Sequence, residues 1–255
     1  MLNWSIYLIS LYVIGLFALA GWGLSLMRKN VTHVDSMWSL FFALAACSSF
    51  VLVGGNSPRA LLIVLLVSIW ALRLFVYLTW RNWGPHEDLR YVEIRNNNQP
   101  HFWLKSIYIV FGLQALLAWV ISISLYGAID SNTPENLLDY CGVFLFVFGF
   151  YWETVADWQL SRFKANPANK GKVLDTGLWR YSRHPNYFGE CCVWWGFYLI
   201  ALAGGAWWAI TSPILMTLLL LKVSGVSLLE STIVNRRPAY ASYIKNTNAF
   251  IPWFR

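Results

Sequence analysis

Charge is what this chain has least of: only 12% of its 255 residues are Asp, Glu, Lys or Arg, far below a soluble domain's share of about 25%. There are four cysteines, Cys47, Cys141, Cys191 and Cys192, with no CxxC spacing, so neither a disulfide framework nor a zinc ribbon is expected; all four fall in or beside apolar runs and read as core thiols. His86, Glu87 and Asp88 lack a second histidine at helical spacing, and no metal site is expected. Neither a GxGxxG fingerprint nor a P-loop occurs, so any nucleotide must be held between helices and not on a Rossmann sheet. No repeat, low-complexity tract or linker divides the chain, which reads as a single membrane domain over 1–255.

What is abundant is apolar and aromatic. Hydrophobic residues make up 58% of the chain and aromatics 18%, with a mean hydropathy of +0.49. Runs able to cross a hydrocarbon core of about 30 Å fall near 4–27, 34–54, 60–80, 102–127, 136–157, 187–204 and 206–229. The expectation is an all-α integral membrane protein, a bundle of about seven transmembrane helices. The first run is too long for a signal-peptide core and has no basic residue before it, so it reads as a span.

The net charge of +7 would fit nucleic acid, but topology explains it better. With the N-terminus outside and the C-terminus cytoplasmic, sixteen of the nineteen lysines and arginines lie on the inner side; Arg59 alone lies outside, and Arg73 and Lys222 fall within spans. Nucleic acid is therefore not an expected partner, whereas membrane lipids are. The chain's composition fits a bacterial inner membrane.

The polar residues gather in Asp175 to Glu190, DTGLWRYSRHPNYFGE. Arg180, Arg183 and His184 can meet phosphate or carboxylate, and Trp179, Tyr181 and Tyr187 offer flat faces to a planar ring. Pro185 suits the first turn of a helix, which would put Asn186 and Glu190 on one face. Upstream, Glu153 and Asp157 stand one turn apart, followed by Arg162 and Lys164. In the tail, Arg236 and Arg237 form a second cationic pair, Tyr240 and Tyr243 can stack, and Phe250, Trp253 and Phe254 read as an interfacial anchor. Each group has a plainer reading, as a topology-setting loop, an ion-pair network or an anchor.

In the first half, Asp35 stands at the start of the second run, as a helix cap or as a functional acid facing the bundle. Arg73 lies inside the third run with Tyr77 one turn on, and needs a partner. The loop RNWGPHEDLRYVEIRNNNQPH reads as a solvated, salt-bridged surface, and the outer loop GAIDSNTPEN as uninformative.

The segments LDTGLWRYSRHPNYFGECCVWWGFYL and GVSLLESTIVNRRPAYASYIKNTNAFIPWF, with the VDSMWS turn and the RNWGPHEDLRY loop, resemble a bacterial membrane family related to the C-terminal domain of steroid 5-alpha reductases. The resemblance implies NADPH held on the cytosolic side of a seven-helix bundle, mainly by the C-terminal half (about 136–255), with Asn186, Glu190 and Asp157 at matching positions. Lys164 falls where the steroid enzymes carry an arginine. Their catalytic glutamate and tyrosine are not kept, since Trp70 occupies the tyrosine position and Asp35 is the nearest acid. RHPxYxG is also similar to isoprenylcysteine carboxyl and phospholipid methyltransferases, which implies S-adenosylmethionine instead; those enzymes often carry paired acids in the last helix, where this chain has Glu230 alone.

The expectation is an oxidoreductase that reduces an enone C=C bond in a sterol-like or isoprenoid lipid with NADPH, the alternative being a lipid methyltransferase. Asp35 is the chosen acid and Tyr77 a further donor. Asp157, Arg162, Lys164, Trp179, Arg180, Tyr181, Arg183, His184, Asn186, Tyr187, Glu190, Glu230, Arg236, Arg237 and Tyr243 form the expected cofactor set. A lipid carrier is disfavoured, because the polar residues cluster at one end of the spans and trace no path through them.

Overall fold

A computed structural model describes residues 3–223 and 240–253, and among these every regular element is helical. Among the described residues, five helices are long and apolar enough to cross a membrane: Trp4–Arg28 (α1), Val34–Val53 (α2), Pro58–Asn82 (α3), the run Phe102–Ile121, and Leu137–Ala165 (α8). No more than 44% of any of their most apolar windows is buried within the protein. Large side chains such as Tyr12, Leu61, Val76 and Phe144 stand outward, as a lipid solvent requires. Apolar length and outward-facing apolar side chains together point to a membrane protein.

Local sequence sets the helix ends. The Asn3 side chain accepts the Ile6 amide, and Ser57, with Pro58 in the first turn, accepts that of Ala60. Gly54 closes α2 at φ 69°, in the left-handed conformation where glycine carries no Cβ penalty. At the start of α8, Asn136 Oδ1 accepts the Leu138 amide while the Asn136 amide donates to Asp139, a reciprocal capping box. The 102–121 run is not a uniform helix. It comprises Phe102–Ser106 (α5), a π-helical stretch Ile107–Gly112 and Leu113–Ile121 (α6), then bends at Ser122 into Ile123–Ile129 (α7). A Cβ on Gly112 would stand 2.8 Å from the Ile107 carbonyl oxygen, so glycine suits the wide turn there.

The chain divides into two compact units. The first comprises Met1–Glu135 with Ala201–Ala209, the second Asn136–Ile200 with Ile210–Arg255. In the first, α1, α2 and α3 pack side by side, with α6 and α7 against α2. Arg59, which the sequence places in the outer surface count, is 1% exposed; its guanidinium donates to Ser131 Oγ and to the carbonyls of Thr133 and Pro134 at 2.8–3.0 Å. The GAIDSNTPEN segment, which reads as uninformative in the sequence, is thus the acceptor shell of a buried cation.

In the second unit, α8 meets the Pro185–Ala203 helix (α9) through glycines spaced by seven on both. A Cβ on Gly149 would lie 2.5 Å from the Gly189 carbonyl oxygen, and one on Gly196 2.8 Å from that of Gly142. Backbones approach this closely only where no side chain intervenes, as is common between helices in lipid. After Ala203 the chain turns at Gly205 (φ 85°), and Trp207–Ile210 and Thr211–Leu218 (α10) follow.

Two expectations are corrected. Cys47 and Cys141 are exposed, so only Cys191 and Cys192 are core thiols. The polar 81–102 segment is not all loop: Leu89–Asn97 forms a helix (α4) capped by Asp88, whose side chain accepts the Arg90 amide. Its only buried residue is Tyr91, so the apolar periodicity that marks a helix in a sequence is absent.

Candidate functional site

In the second unit, α8 runs 29 residues, about 44 Å at 1.5 Å per residue, well beyond the hydrocarbon thickness. Its last turns receive the organising stretch. Gly177, at φ 62°, sets its backbone against Gln159, whose Oε1 accepts the Leu178 amide, and Trp179 Nε1 donates to the Ala156 carbonyl.

From Tyr181 onward the stretch is bound to the tail. Ser182 Oγ donates to the Phe250 carbonyl at 2.8 Å and accepts the His184 amide. The Arg183 amide donates to Asn248 O, and its guanidinium to the carbonyls of Thr247 (2.5 Å) and Ile244 (3.1 Å). Ile244 and Thr247 stand at the end of Tyr240–Asn246 (α11), where unpaired carbonyls carry the negative end of the helix dipole. Tyr243 donates to the carbonyls of Trp179 and Ser182, and the Trp253 amide to that of Tyr181. Backbone oxygens of the tail therefore occupy Ser182 and Arg183, and those of Trp179 and Ser182 occupy Tyr243.

The sequence-derived cofactor set separates into three groups. Arg183, Tyr243 and Trp179 hold the local fold. Asp157, His184, Asn186, Tyr187 and Glu190 form an inner layer beside Glu153. Asn186 Nδ2 donates to Asp157 Oδ1 at 3.2 Å; since a carboxylate can only accept, the Asn186 carbonyl must face the other way, and this buried oxygen has no hydrogen-bond partner among the described residues. Glu153, Asp157 and Glu190 are 3%, 3% and 8% exposed, and the His184 and Tyr187 rings lie parallel at 5.6 Å.

The third group borders a cleft of about 560 Å³, lined by Lys172, Asp175, Arg180, Tyr181, Asn246 and Trp253 among others. Arg180 and Tyr181 were expected there. Lys172 and Asn246 carried no signal beyond being polar, and Trp253 read as a membrane anchor; only the tail's return past Tyr181 brings them together. Tyr243 also reaches this lining. Arg162 stacks over Trp158 at 5.1 Å, and both Arg162 and Lys164 are exposed on the last turn of α8, outside the cleft lining. Glu230, Arg236 and Arg237 lie outside the described residues.

The two expected catalytic residues belong to the first unit. Asp35 is not the cap of α2, since His33 holds that position. Its carboxylate accepts from Arg90 at 2.7 Å and from the Tyr91 hydroxyl at 2.5 Å, and Gln114 Nε2 donates to the same hydroxyl at 3.0 Å. Burial, then the negative charge of Asp35, hold the Tyr91 phenol well above its ordinary value, so it keeps its proton. Tyr77 is elsewhere, its ring 5.4 Å from the Arg73 guanidinium and 5.7 Å from that of Arg81. Tyr91 is the partner of Asp35 that sequence reasoning missed, because it read Tyr91 as part of a solvated loop.

The same region ties the turn after α1 to α4. Glu87 accepts from Arg95 through both oxygens and from the Val31 amide, and the Asp88 amide donates to Thr32. Burial alone would raise the Glu87 carboxyl, but the Arg95 hydrogen bond and the Val31 amide bring it below its ordinary value. At Asp88, burial is likewise outweighed by Arg90. The salt-bridged reading of this segment holds.

Fold and cleft together define a helical protein, with five described helices long and apolar enough to cross a membrane and a polar, cation-bearing pocket beside its C-terminal tail. The chain belongs to the family described as "Protein of unknown function (DUF1295)", whose profile it matches over residues 21–247. It is also similar to an uncharacterized protein of Schizosaccharomyces pombe, 28% identical over 207 residues, which are 70% of this chain and 59% of the yeast protein. The chain thus spans about three fifths of that relative's length. No solved structure matches it.

Proposed function

We propose that the protein is an NADPH-dependent membrane reductase of an enone C=C bond in a sterol-like or isoprenoid lipid, related to the steroid 5-alpha reductases. The observation that carries this reading is the cleft of about 560 Å³ in which Lys172 and Arg180 stand with the aromatic faces of Tyr181 and Trp253. Cations suit the phosphates of a dinucleotide and flat rings suit its bases. In the same unit, the unsatisfied Asn186 carbonyl supplies an acceptor for an amide or hydroxyl donor. NADPH would bring the hydride. Within the first unit, Tyr91 keeps a proton against Asp35. Tyr77 is set aside, since its ring is engaged by two guanidinium groups.

In this reading seven helices span a bacterial inner membrane with the N-terminus outside, and the polar cleft faces the cytoplasm. The excess of lysine and arginine on one side of the spans supports that orientation. Asp175 in the same lining favours a second reading, S-adenosylmethionine-dependent methylation of a lipid acceptor, because its carboxylate suits an ammonium or sulfonium. Titration of the purified protein with NADPH and S-adenosylmethionine in parallel separates the two. Saturable binding of NADPH that weakens about tenfold in Arg180→Ala is expected. Binding of the methyl donor alone would remove the reductase.

A further inference from the structure

A separate cavity lies wholly within the first unit, among the ends of α1, α2 and α3. Its volume is about 380 Å³, within the range of roughly 300–1,000 Å³ typical of small-molecule sites. The floor is apolar, with Phe17, Leu40 and Phe75. Along α1 the lining extends from Phe17 to Arg28, about 16 Å at 1.5 Å per residue. At the α1–α2 turn and the end of α3 the lining becomes polar.

Three polar atoms there are buried without hydrogen-bond partners among the described residues: His33 Nδ1, Thr79 Oγ1 and Asn82 Nδ2. Two of them have a defined chemical sense. His33 Nε2 lies 2.9 Å from the Gly21 carbonyl, which can only accept, so Nε2 carries the ring proton and Nδ1 presents a lone pair. Burial foremost, with the Arg28 charge acting the same way, outweighs the carbonyls of Gly21 and Asn30 and the charge of Asp35, so the ring is held below its ordinary value and stays neutral at neutral pH. Asn82 Oδ1 accepts from Arg81, which leaves Nδ2 as the unused donor. The residues that line the cavity therefore include an acceptor, a donor and, in Thr79, a group that can be either, each of these atoms less than 1 Å² exposed. Leaving such groups dry and unpaired costs about 1–3 kcal/mol each.

We propose that this cavity binds an uncharged lipid whose polar head is a hydroxyl. A hydroxyl is the small group that both donates, here to His33 Nδ1, and accepts, here from Asn82 Nδ2; a ketone or ether lacks the proton, and a hydrocarbon satisfies neither. The apolar floor takes the chain or rings. The inference goes beyond the cofactor reading and does not rest on it, because the site lies within the first unit and its occupancy needs no nucleotide.

The test is photolabelling in lipid nanodiscs, without nucleotide, by a diazirine-bearing dodecanol, with adducts mapped by peptide mass spectrometry. Adducts are expected on segments 17–40 and 75–83, displaced by dodecanol and not by dodecane. Asn82→Leu and His33→Phe should each lower labelling about tenfold, the value of one hydrogen bond in a dry site. Leu65→Ala, on the exposed face of α3, should leave it unchanged. Adducts spread evenly over the lipid-facing helices, or displacement by dodecane as effective as by dodecanol, would overturn the proposal. So would stronger displacement by dodecanoate, which would make Arg28 the recognising group. Should a variant fail to fold, the competition pattern on the unaltered protein decides alone.

Discussion

The turn Arg28–Asp35 and the stretch Asp175–Glu190 are both polar segments that lead into apolar helices, yet the fold treats them in opposite ways. In the second, the dense polar groups are largely consumed: Ser182, Arg183 and Tyr243 bond to backbone carbonyls of the tail or of the stretch itself. In the first, ion pairs of Glu87, Asp88 and Asp35 with α4 hold the turn from one side, while His33 lines a cavity with an unpaired ring nitrogen. Density of polar residues in a sequence is therefore a poor guide to which polar groups remain open to a ligand. What matters is whether a backbone oxygen returns to meet them.

The largest effect expected on either unit concerns the first. Arg59→Leu takes a buried guanidinium away from the buried Ser131 hydroxyl and from the carbonyls of Thr133 and Pro134 and should cost about 3 kcal/mol, read as a fall in Tm in detergent; an unchanged Tm would show that the 131–134 loop does not depend on this cation. Next comes the glycine seam of the second unit. Gly149→Ala forces a Cβ to 2.5 Å from the Gly189 carbonyl oxygen and should cost about 2 kcal/mol, or some 4–8 °C, whereas Gly15→Ala, with nothing within 4 Å, should not lower Tm.

Arginine pairs sharpen the contrast within the organising stretch. Arg183→Ala should lower Tm by the equivalent of about 1–2 kcal/mol, because α11 loses its carbonyl partner; Arg180→Ala, in an exposed residue of the cleft, should leave Tm in place and weaken anion binding instead. Equal loss of stability in both would collapse the distinction between tether and ligand group.

The smallest effect is that of pH on the first unit. Glu87 and Asp88 titrate below their ordinary values of 4.5 and 3.8, so their contribution is complete above about pH 5.5 and is lost as pH falls through the lower folded values. Both pairs are partly exposed, which limits the change to a few tenths of a kcal/mol up to about 1. A Tm profile from pH 7 to pH 3 should therefore slope downward at its acid end, and Arg95→Met should flatten part of that slope.

Much of the architecture was legible because hydrophobic length is a local property. The helices α1, α2 and α3 fall where the apolar runs predict them, α8 begins where predicted but runs on to Ala165, and Pro185 opens α9 as expected. The inner layer was legible in part, since Asp157 and Asn186 do meet. The pairing of Asp35 with Tyr91 was not, because 56 residues separate them and α4 has almost no buried face to betray it. Nor was the burial of Arg59, whose partners lie more than seventy residues away.

The sequence by itself determined that the chain is helical and apolar enough to cross a membrane, where most of its long helices begin, and which segments carry its polar chemistry, since all of these follow from composition and from interactions within a turn or two. Tertiary structure alone decided which of those polar groups are spent and which remain available, because a hydrogen bond is satisfied by whatever the fold brings within about 3 Å of it.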